Sequence, residues 1–176
     1  MRPYLILETI MPERRTLQRA ARDRRMGKSP STQAGEFVRE EMEHIRRGKH
    51  GARSTKQAIA IGLSKARRAG VKLPPPKPGS ASEATRRHAK QALESGEDQH
   101  TVSRKRSGSI LAVLRREGHR SASKKSLSAQ ARSAARRRTA GERSAAAERA
   151  VSTKGPAARS AAARKAARTR ARRRRK

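Results

Sequence analysis

The sequence predicts an all-α protein: a small helical hairpin plus loosely packed helices, with a long disordered basic C-terminal tail. Two observations lead to this prediction. Residues 54–70 combine helix-start and helix-stop signals with an apolar stripe at helical spacing. Leu, Ile, Val and Phe together make up only 21 of the 176 residues, while the net charge is +33. A chain of this composition is expected to form only a small core and to leave part of its length unfolded.

Residues 54–70 predict the second helix of the hairpin. Ser54 and Gln57 have the spacing of a capping box, and Gly70 stands where a left-handed turn ends a helix. Ile59 and Leu63 lie one turn apart on the same side, and Gly62 between them allows another backbone to approach closely. We therefore expect this helix to be held by a partner helix.

The preceding stretch predicts that partner. Ser31 or Thr32 is the expected cap, and the helix is expected to run to about Arg47 and to stop at Gly48. Its apolar side is expected to pack on Ile59 and Leu63, with Val38 and Ile45 as their main contacts. The residues on that side are Ala34, Phe37, Val38, Met42 and Ile45. The same helix carries four acids, which makes it a poor surface for DNA and a structural partner for neighbouring arginines.

Composition shifts divide the chain into five segments. The tail has only Val151 as a large apolar residue, which is too little burial to offset the entropy lost on ordering. The N-terminal segment holds an apolar patch at Met1–Ile10 and a polar helix at Pro12–Arg25, and Met26 is a second candidate start of the protein. The segments are a mobile N-terminal extension (1–28), the hairpin (29–73), a proline-rich linker (74–79), a basic helical region (80–138) and a disordered Ala/Arg-rich tail (139–176).

Three weaker helices are expected in the basic helical region. Ser80 and Glu83 have capping-box spacing, and Gly96 and Gly118 are the expected stops of the first and second helix. Each helix has few large apolar residues, so loose packing is expected. The predicted spans are Ser80–Ser95, Arg104–Glu117 and Ser121–Arg138.

The sequence argues against an enzyme and predicts no cofactor. It contains no cysteine, which excludes disulfides and cysteine-ligated zinc. It shows no nucleophile–base pattern, phosphate-binding glycine loop or paired catalytic carboxylates. Glu40, His44 and His50 are close in sequence, but a metal site would need a third ligand in compatible geometry, so we expect solvated histidines and no metal.

No apolar run is long enough for a membrane span or a signal-peptide core, which predicts a cytoplasmic protein without a membrane partner.

The excess of basic residues predicts nucleic-acid binding. Lysine and arginine pair with phosphates and release condensed counterions, which gives affinity without sequence preference. Self-association through the hairpin is a further expectation. The predicted contacts are Arg53, Lys56, Lys65, Arg67, Arg68, Arg104, Lys105, Arg106, Arg115, Arg116, Lys124, Lys125, Arg136, Arg137, Arg138, Arg172, Arg173, Arg174, Arg175 and Lys176.

The scarcity of aromatic residues favours double-stranded DNA over RNA. Proteins that bind single strands or specific RNA sequences usually stack bases on aromatic rings, and here Tyr4 and Phe37 are the only ones. An RNA- or ribosome-associated basic protein is the first alternative. A sequence-specific DNA-binding regulator is the second, because residues 33–69 can be interpreted as a helix-turn-helix with Arg53, Lys56 and Gln57 facing the bases.

Residues 29–38 and 57–68 resemble a family of small basic bacterial proteins of unknown function that are often described as DNA-binding or histone-like. The resemblance extends weakly over residues 28–138. It implies an architectural DNA-binding protein of the bacterial nucleoid, and it supplies no catalytic or ligand residues. Residues 139–176 are similar in composition to the basic tails of linker histones, although they contain more arginine than lysine.

Overall fold

The structure is a computed structural model that describes residues 11–97 and 103–175. Every regular element in these ranges is helical, which confirms the all-α class. The chain divides into two compact units, one up to Gln130 and one from Ala131. The elements are α1 (Arg14–Arg25), α2 (Pro30–Arg46), α3 (Thr55–Arg68), α4 (Glu83–Glu97), α5 (Arg104–Arg115), the 3₁₀ helix η1 (Arg120–Ala122), α6 (Lys124–Arg136) and α7 (Ala140–Arg174).

Helix α2 begins slightly before its predicted cap. Ser29, rather than Ser31 or Thr32, is the cap, and its hydroxyl accepts the backbone N–H of Thr32 at 3.4 Å. Pro30 occupies the first turn, where a missing N–H removes no helical hydrogen bond. The helix ends before Gly48, which has a φ of +72°. The predicted end of this helix is therefore confirmed.

Helix α3 begins and ends as predicted. The Ser54 hydroxyl accepts the backbone N–H of Gln57 at 3.2 Å. The reciprocal bond is displaced by one residue, because the Gln57 amide oxygen accepts the N–H of Arg53 at 2.8 Å. Gly70 has a φ of +81°, and Val71 N–H donates back to a carbonyl of the last helical turn. The helix is thus closed at both ends by local hydrogen bonds.

Helices α2 and α3 form the predicted hairpin and hold two apolar clusters. Ile59 packs against the cluster that contains Ile45, as Val38 does, whereas Leu63 packs against the cluster around Phe37 and not, as expected, against that of Ile45. An added Cβ at Gly62 would lie 2.7 Å from the Cα of Val38, so the two backbones meet at this glycine. The first cluster is Ala20, Ala34, Phe37, Ala66 and Val71 with Leu63 and Leu73; the second is Met42, Ile45, Ala52, Ala58 and Ala122 with Val38, Ile59 and Leu127.

Helix α1 belongs to the packed unit, in contrast to the mobile extension that the sequence predicts. Thr16 and Ala20 are buried, and Ala20 completes the cluster around Phe37. The Arg19 guanidinium lies 2.5 Å from the Glu36 carboxylate on α2. Small and polar residues therefore dock this helix, although it lacks an apolar face. The patch expected at Met1–Ile10 lies outside the described residues.

Two glycines mark close contacts between helices rather than helix ends or open loops. α4 continues through Gly96 to Glu97, and a Cβ at Gly96 would overlap the carbonyl of Arg67. A Cβ at Gly51, in the α2–α3 loop, would overlap the carbonyl of Glu117 after α5. The predicted stop at Gly96 is therefore not observed, because this glycine serves packing.

Helices α4 to α6 differ from prediction mainly at their ends. Ser82, not Ser80, caps α4, since its hydroxyl accepts the N–H of Thr85 at 3.3 Å. α5 ends at Arg115, slightly before its predicted end, and Gly51 N–H donates to the carbonyl of Leu114 at 2.8 Å. α6 begins after Ser123, whose hydroxyl accepts the N–H of Ser126.

The prediction of a disordered C-terminal tail at residues 139–176 is wrong, because α7 covers Ala140–Arg174. Thr139 and Glu142 form a capping box at its start. At Gly155 the backbone leaves helical geometry with a φ of +64°, and Pro156 begins the second part. Alanine and arginine are strong helix formers, and a helix satisfies its backbone hydrogen bonds internally. The lack of apolar residues therefore prevents core formation without preventing helix formation.

Within the described ranges, no helix combines the length and the apolarity that a membrane span requires.

Candidate nucleic-acid interface

The first predicted contacts lie on α3. Arg53 and Lys56 are exposed at its start, and Arg68 is exposed at its end. The side chain of Gln57 is engaged with the backbone of Arg53, so it serves the helix cap. Arg68 donates from Nε to the carbonyl of Ser64 at 3.3 Å, and burial lowers the pKa of its guanidinium although the residue as a whole is exposed.

Two other predicted contacts on α3 are buried. Lys65 and Arg67 have exposed fractions of 4% and 5%. Arg67 donates from Nε to the carbonyl of Leu73 at 3.0 Å and from Nη2 to that of Pro74 at 3.1 Å, and burial lowers the pKa of its guanidinium. It fixes the start of the proline-rich linker. Both cations are engaged inside the unit, so they are removed from the set of candidate phosphate contacts.

The predicted contacts from α5 to the start of α7 face solvent. They stand on α5, on α6 and on the short connections that follow these two helices, and side chains at such positions can reach a phosphate without rearrangement of the core. Arg104 begins α5, but its side chain lies outside the described residues. The exposed members are Lys105, Arg106, Arg115, Arg116, Lys124, Lys125, Arg136, Arg137 and Arg138.

Helix α7 carries more basic side chains than the sequence-based selection includes. The predicted Arg172–Arg175 are exposed at its C-terminal end, and Lys176 lies outside the described residues. Five further cations are exposed between Pro156 and that end. With 3.6 residues per turn, they project on all sides of the helix. High helix propensity over this Ala- and Arg-rich stretch is the signal that could have identified them. They are Arg159, Arg164, Lys165, Arg168 and Arg170.

Acidic residues are concentrated in residues 1–103, which contain 11 of the 14. Residues 104–176 contain 25 Lys and Arg and 3 Glu, which is a net charge of +22 out of +33. Most acids of residues 1–103 form ion pairs, so they neutralise nearby bases. Those observed in ion pairs among the described residues are Glu13, Asp23, Glu36, Glu40, Glu41, Glu43, Glu83 and Glu94. The strongest field for an anionic partner therefore comes from residues 104–176.

A buried charged cluster, formed by Glu40, Glu41, His44, His50 and Lys65, lies beside the hairpin core. The ammonium of Lys65 is 2.8 Å from Glu41 Oε2, and the imidazole Nε2 of His50 is 3.3 Å from Glu41 Oε1. The exposed fractions of His44 and His50 are 1% and 2%. The histidines are therefore buried, in contrast to the solvated side chains that the sequence predicts.

Glu13, just before α1, closes one side of the buried charged cluster. Its carboxylate lies 2.8 Å from His44 Nε2 and 3.0 Å from Lys49 Nζ, and its backbone N–H donates to Glu40. These hydrogen bonds, first that with His44, lower the pKa of Glu13 from 4.5 to about 2. Burial lowers the pKa of His44, and the hydrogen bond with Glu13 opposes that shift. Glu13 is therefore ionised at neutral pH.

The hairpin and its buried charged cluster are the part of the chain that matches a known family. Residues 25–77 match the model of DUF6496, a family of unknown function. The DUF6496 segment contains α2, α3 and all five residues of the cluster, whereas α1, except for its last residue, and the helices from α4 onwards lie outside it. Comparison with curated proteins and with solved structures found no match. The DUF6496 match carries no function, so it gives no support to the histone-like expectation.

Proposed function

We propose that this protein binds double-stranded DNA without sequence preference, as an architectural, histone-like protein. The observation that carries the proposal is the net charge of +22 within residues 104–176, where the described Lys and Arg side chains are exposed. A field of this size attracts polyanions and raises their association rate. The candidate contacts are those of α5, α6 and α7, with Arg53, Lys56 and Arg68 from α3.

Phosphate neutralisation is the proposed mechanism. Each Lys or Arg that pairs with a phosphate releases condensed counterions, and this release is the main source of sequence-independent affinity. Arginine dominates the end of α7, and its planar guanidinium can donate two parallel hydrogen bonds to one phosphate. The cations on all sides of α7 allow more than one phosphate strand to be contacted along its length.

Duplex DNA is a better fit than single strands or RNA with exposed bases. Phe37 is 1% exposed in the core of the hairpin, so its ring is inaccessible to a base. Tyr4, the other aromatic residue, lies outside the described residues. Binding by base stacking would therefore have to rely on arginine, whereas backbone binding needs only the exposed cations.

The test is a comparison of ligands for the full-length protein at one salt concentration. Two duplexes of unrelated sequence, one single strand and one structured RNA are titrated against the labelled protein. We expect the two duplexes to bind within about threefold of each other and more tightly than the single strand. A preference for the RNA would favour an RNA-associated protein. A preference of about a hundredfold for one duplex over the other would favour a sequence-specific regulator.

The matched variants are two sets of five exposed cations in different helices. One set replaces Arg159, Arg164, Lys165, Arg168 and Arg170 of α7 by Gln; the other replaces Arg14, Arg15, Arg22, Arg24 and Arg25 of α1 by Gln. Both sets remove the same charge, but α1 lies among acidic residues and outside residues 104–176. We expect the α7 set to weaken duplex binding much more than the α1 set, and equally on both duplexes. Equal effects of the two sets would mean that only total charge matters.

A further inference from the structure

Three side chains of the buried charged cluster are placed as metal ligands. Glu41, His44 and His50 each offer one ligand atom, and these atoms lie within 4.8 Å of one another. All three residues are at most 2% exposed. Two imidazole nitrogens and one carboxylate oxygen form a ligand set that suits Zn²⁺ and similar divalent transition metals.

Hydrogen bonds leave one nitrogen of each imidazole ring with a lone pair. A carbonyl oxygen can only accept, so His50 carries its proton on Nδ1, which lies 3.0 Å from the carbonyl of Gly51. The Glu13 carboxylate, which also only accepts, lies 2.8 Å from Nε2 of His44, so His44 carries its proton on Nε2. Nδ1 of His44 and Nε2 of His50 are therefore the nitrogens available to a ligand. A ligating histidine whose other nitrogen is held by a carboxylate or a carbonyl is a common arrangement around zinc.

The polar atoms left over in the cluster need a cation. His44 Nδ1 is buried without a hydrogen-bond partner among the described residues, and so is Glu41 Oε1, whereas Glu41 Oε2 is paired with the ammonium of Lys65. Nε2 of His50 faces Glu41 Oε1 at 3.3 Å, and two lone pairs at that distance repel each other. A second proton on His50 would remove this repulsion, but it would leave His44 Nδ1 unsatisfied. One metal ion can be bound by His44 Nδ1, His50 Nε2 and Glu41 Oε1 together, which satisfies all three atoms.

We propose that Glu41, His44 and His50 bind one divalent transition-metal ion of the Zn²⁺ type, with water completing the coordination. Lys65 holds the other oxygen of Glu41 and orients the carboxylate, at the cost of an unfavourable charge near the metal. The carboxylate of Glu40, 3.8 Å from Lys65 Nζ, offsets that charge. The ion would connect α2 to the following loop inside the DUF6496 segment. This inference is independent of DNA binding.

Zinc binding to the untagged full-length protein is the direct test. After treatment with a chelator, the protein is titrated with Zn²⁺, and bound metal is counted by elemental analysis. We expect one ion per chain with a dissociation constant below about 1 µM, a higher melting temperature with zinc, and no such response to Mg²⁺. NMR of the imidazole nitrogens should show shifts at His44 and His50 and none at the exposed His88 and His119. Failure to bind zinc, or equal shifts at all four histidines, would overturn the proposal.

Three variants extend the test, and Lys65→Met keeps it informative if the ligand substitution E41Q impairs folding. The control H88Q/H119Q removes two exposed histidines and should keep the affinity for zinc, whereas E41Q should lower it at least tenfold. Lys65→Met should lower the melting temperature without zinc, because the Glu41 carboxylate loses its buried partner. Zinc should then raise the melting temperature of this variant more than that of the parent protein. An E41Q variant that folds and binds zinc as the parent does would contradict the site, and so would an equal zinc response of Lys65→Met and the parent.

Discussion

Replacing Gly62 by alanine tests the contact on which the hairpin depends. On helix propensity alone, alanine in the interior of α3 would stabilise the protein by about 1 kcal/mol. The added Cβ, however, would lie 2.7 Å from Val38 Cα and 3.0 Å from Val38 N. Non-bonded carbons prefer about 3.5–4.0 Å, so α2 and α3 would have to separate by close to 1 Å. Because the obstacle is backbone, no side-chain rotation relieves it.

The expected result is a net loss of stability. Overpacking of this kind costs about 1–3 kcal/mol, and the separation also loosens both apolar clusters. We expect Gly62→Ala to lower the free energy of opening of α2 and α3 by about 1 kcal/mol or more. Gly35→Ala is the matched control, because Gly35 lies inside α2 with nothing within 4 Å of an added Cβ. It should raise the same free energy by about 0.5–1 kcal/mol.

Amide hydrogen exchange of α2 and α3 in the full-length protein measures these free energies for the hairpin alone, without a contribution from α7. The difference between the two variants should be about 2 kcal/mol, with Gly62→Ala the less stable. If the amides of the hairpin are as strongly protected from exchange in Gly62→Ala as in Gly35→Ala, the two backbones do not meet at Val38, and the reasoning is refuted.

Two neighbouring arginines of α3 should behave differently. Arg67→Ala should lower the free energy of unfolding by about 2 kcal/mol, because two charged hydrogen bonds to Leu73 and Pro74 are lost. Arg68→Ala removes an exposed residue and should change the free energy of unfolding by no more than about 0.5 kcal/mol. Denaturant unfolding measures both, and equal losses would contradict the buried position of Arg67. Thr139→Ala removes the hydroxyl that caps α7 and should cost its first turns about 1 kcal/mol, seen as faster amide exchange near Glu142 but not beyond Pro156. Unchanged exchange near Glu142 would show that the capping box does not hold that end.

The hairpin was predictable because its signals are local. Ser54, Gly62 and Gly70 each act through the backbone of their own helix or of the adjacent one, and the apolar spacing of Ile59 fixes the buried face. The buried charged cluster was not predictable from such signals. Glu41 and His44 look like solvated residues of an acidic helix, and only Lys65, His50 and Glu13, which the fold brings close, make their burial tolerable.

Composition misled the prediction at both ends of the chain. The absence of an apolar face was interpreted as mobility for α1, but Ala20 and the ion pair of Arg19 dock it on α2. The same argument predicted disorder for residues 139–176, where α7 forms. Burial of apolar area decides whether a segment joins a core, whereas a run of alanine and arginine with a cap at Thr139 can be helical without one. Of the predicted contacts, Lys65 and Arg67 could not be recognised as buried, because their spacing on α3 resembles that of exposed cations.

The salt dependence of duplex binding tests the proposed function most directly. If exposed cations neutralise phosphates, the logarithm of the binding constant should fall linearly with the logarithm of salt concentration, by about 0.9 for each phosphate contacted. Replacing the five cations from Arg159 to Arg170 of α7 by Gln should make this slope shallower by several units, up to about 4.5 if all five contact phosphates. The five-residue control set in α1 should change it by less than about 1. A slope near zero for the parent protein, or one that the α7 set leaves unchanged, would contradict phosphate neutralisation by this region.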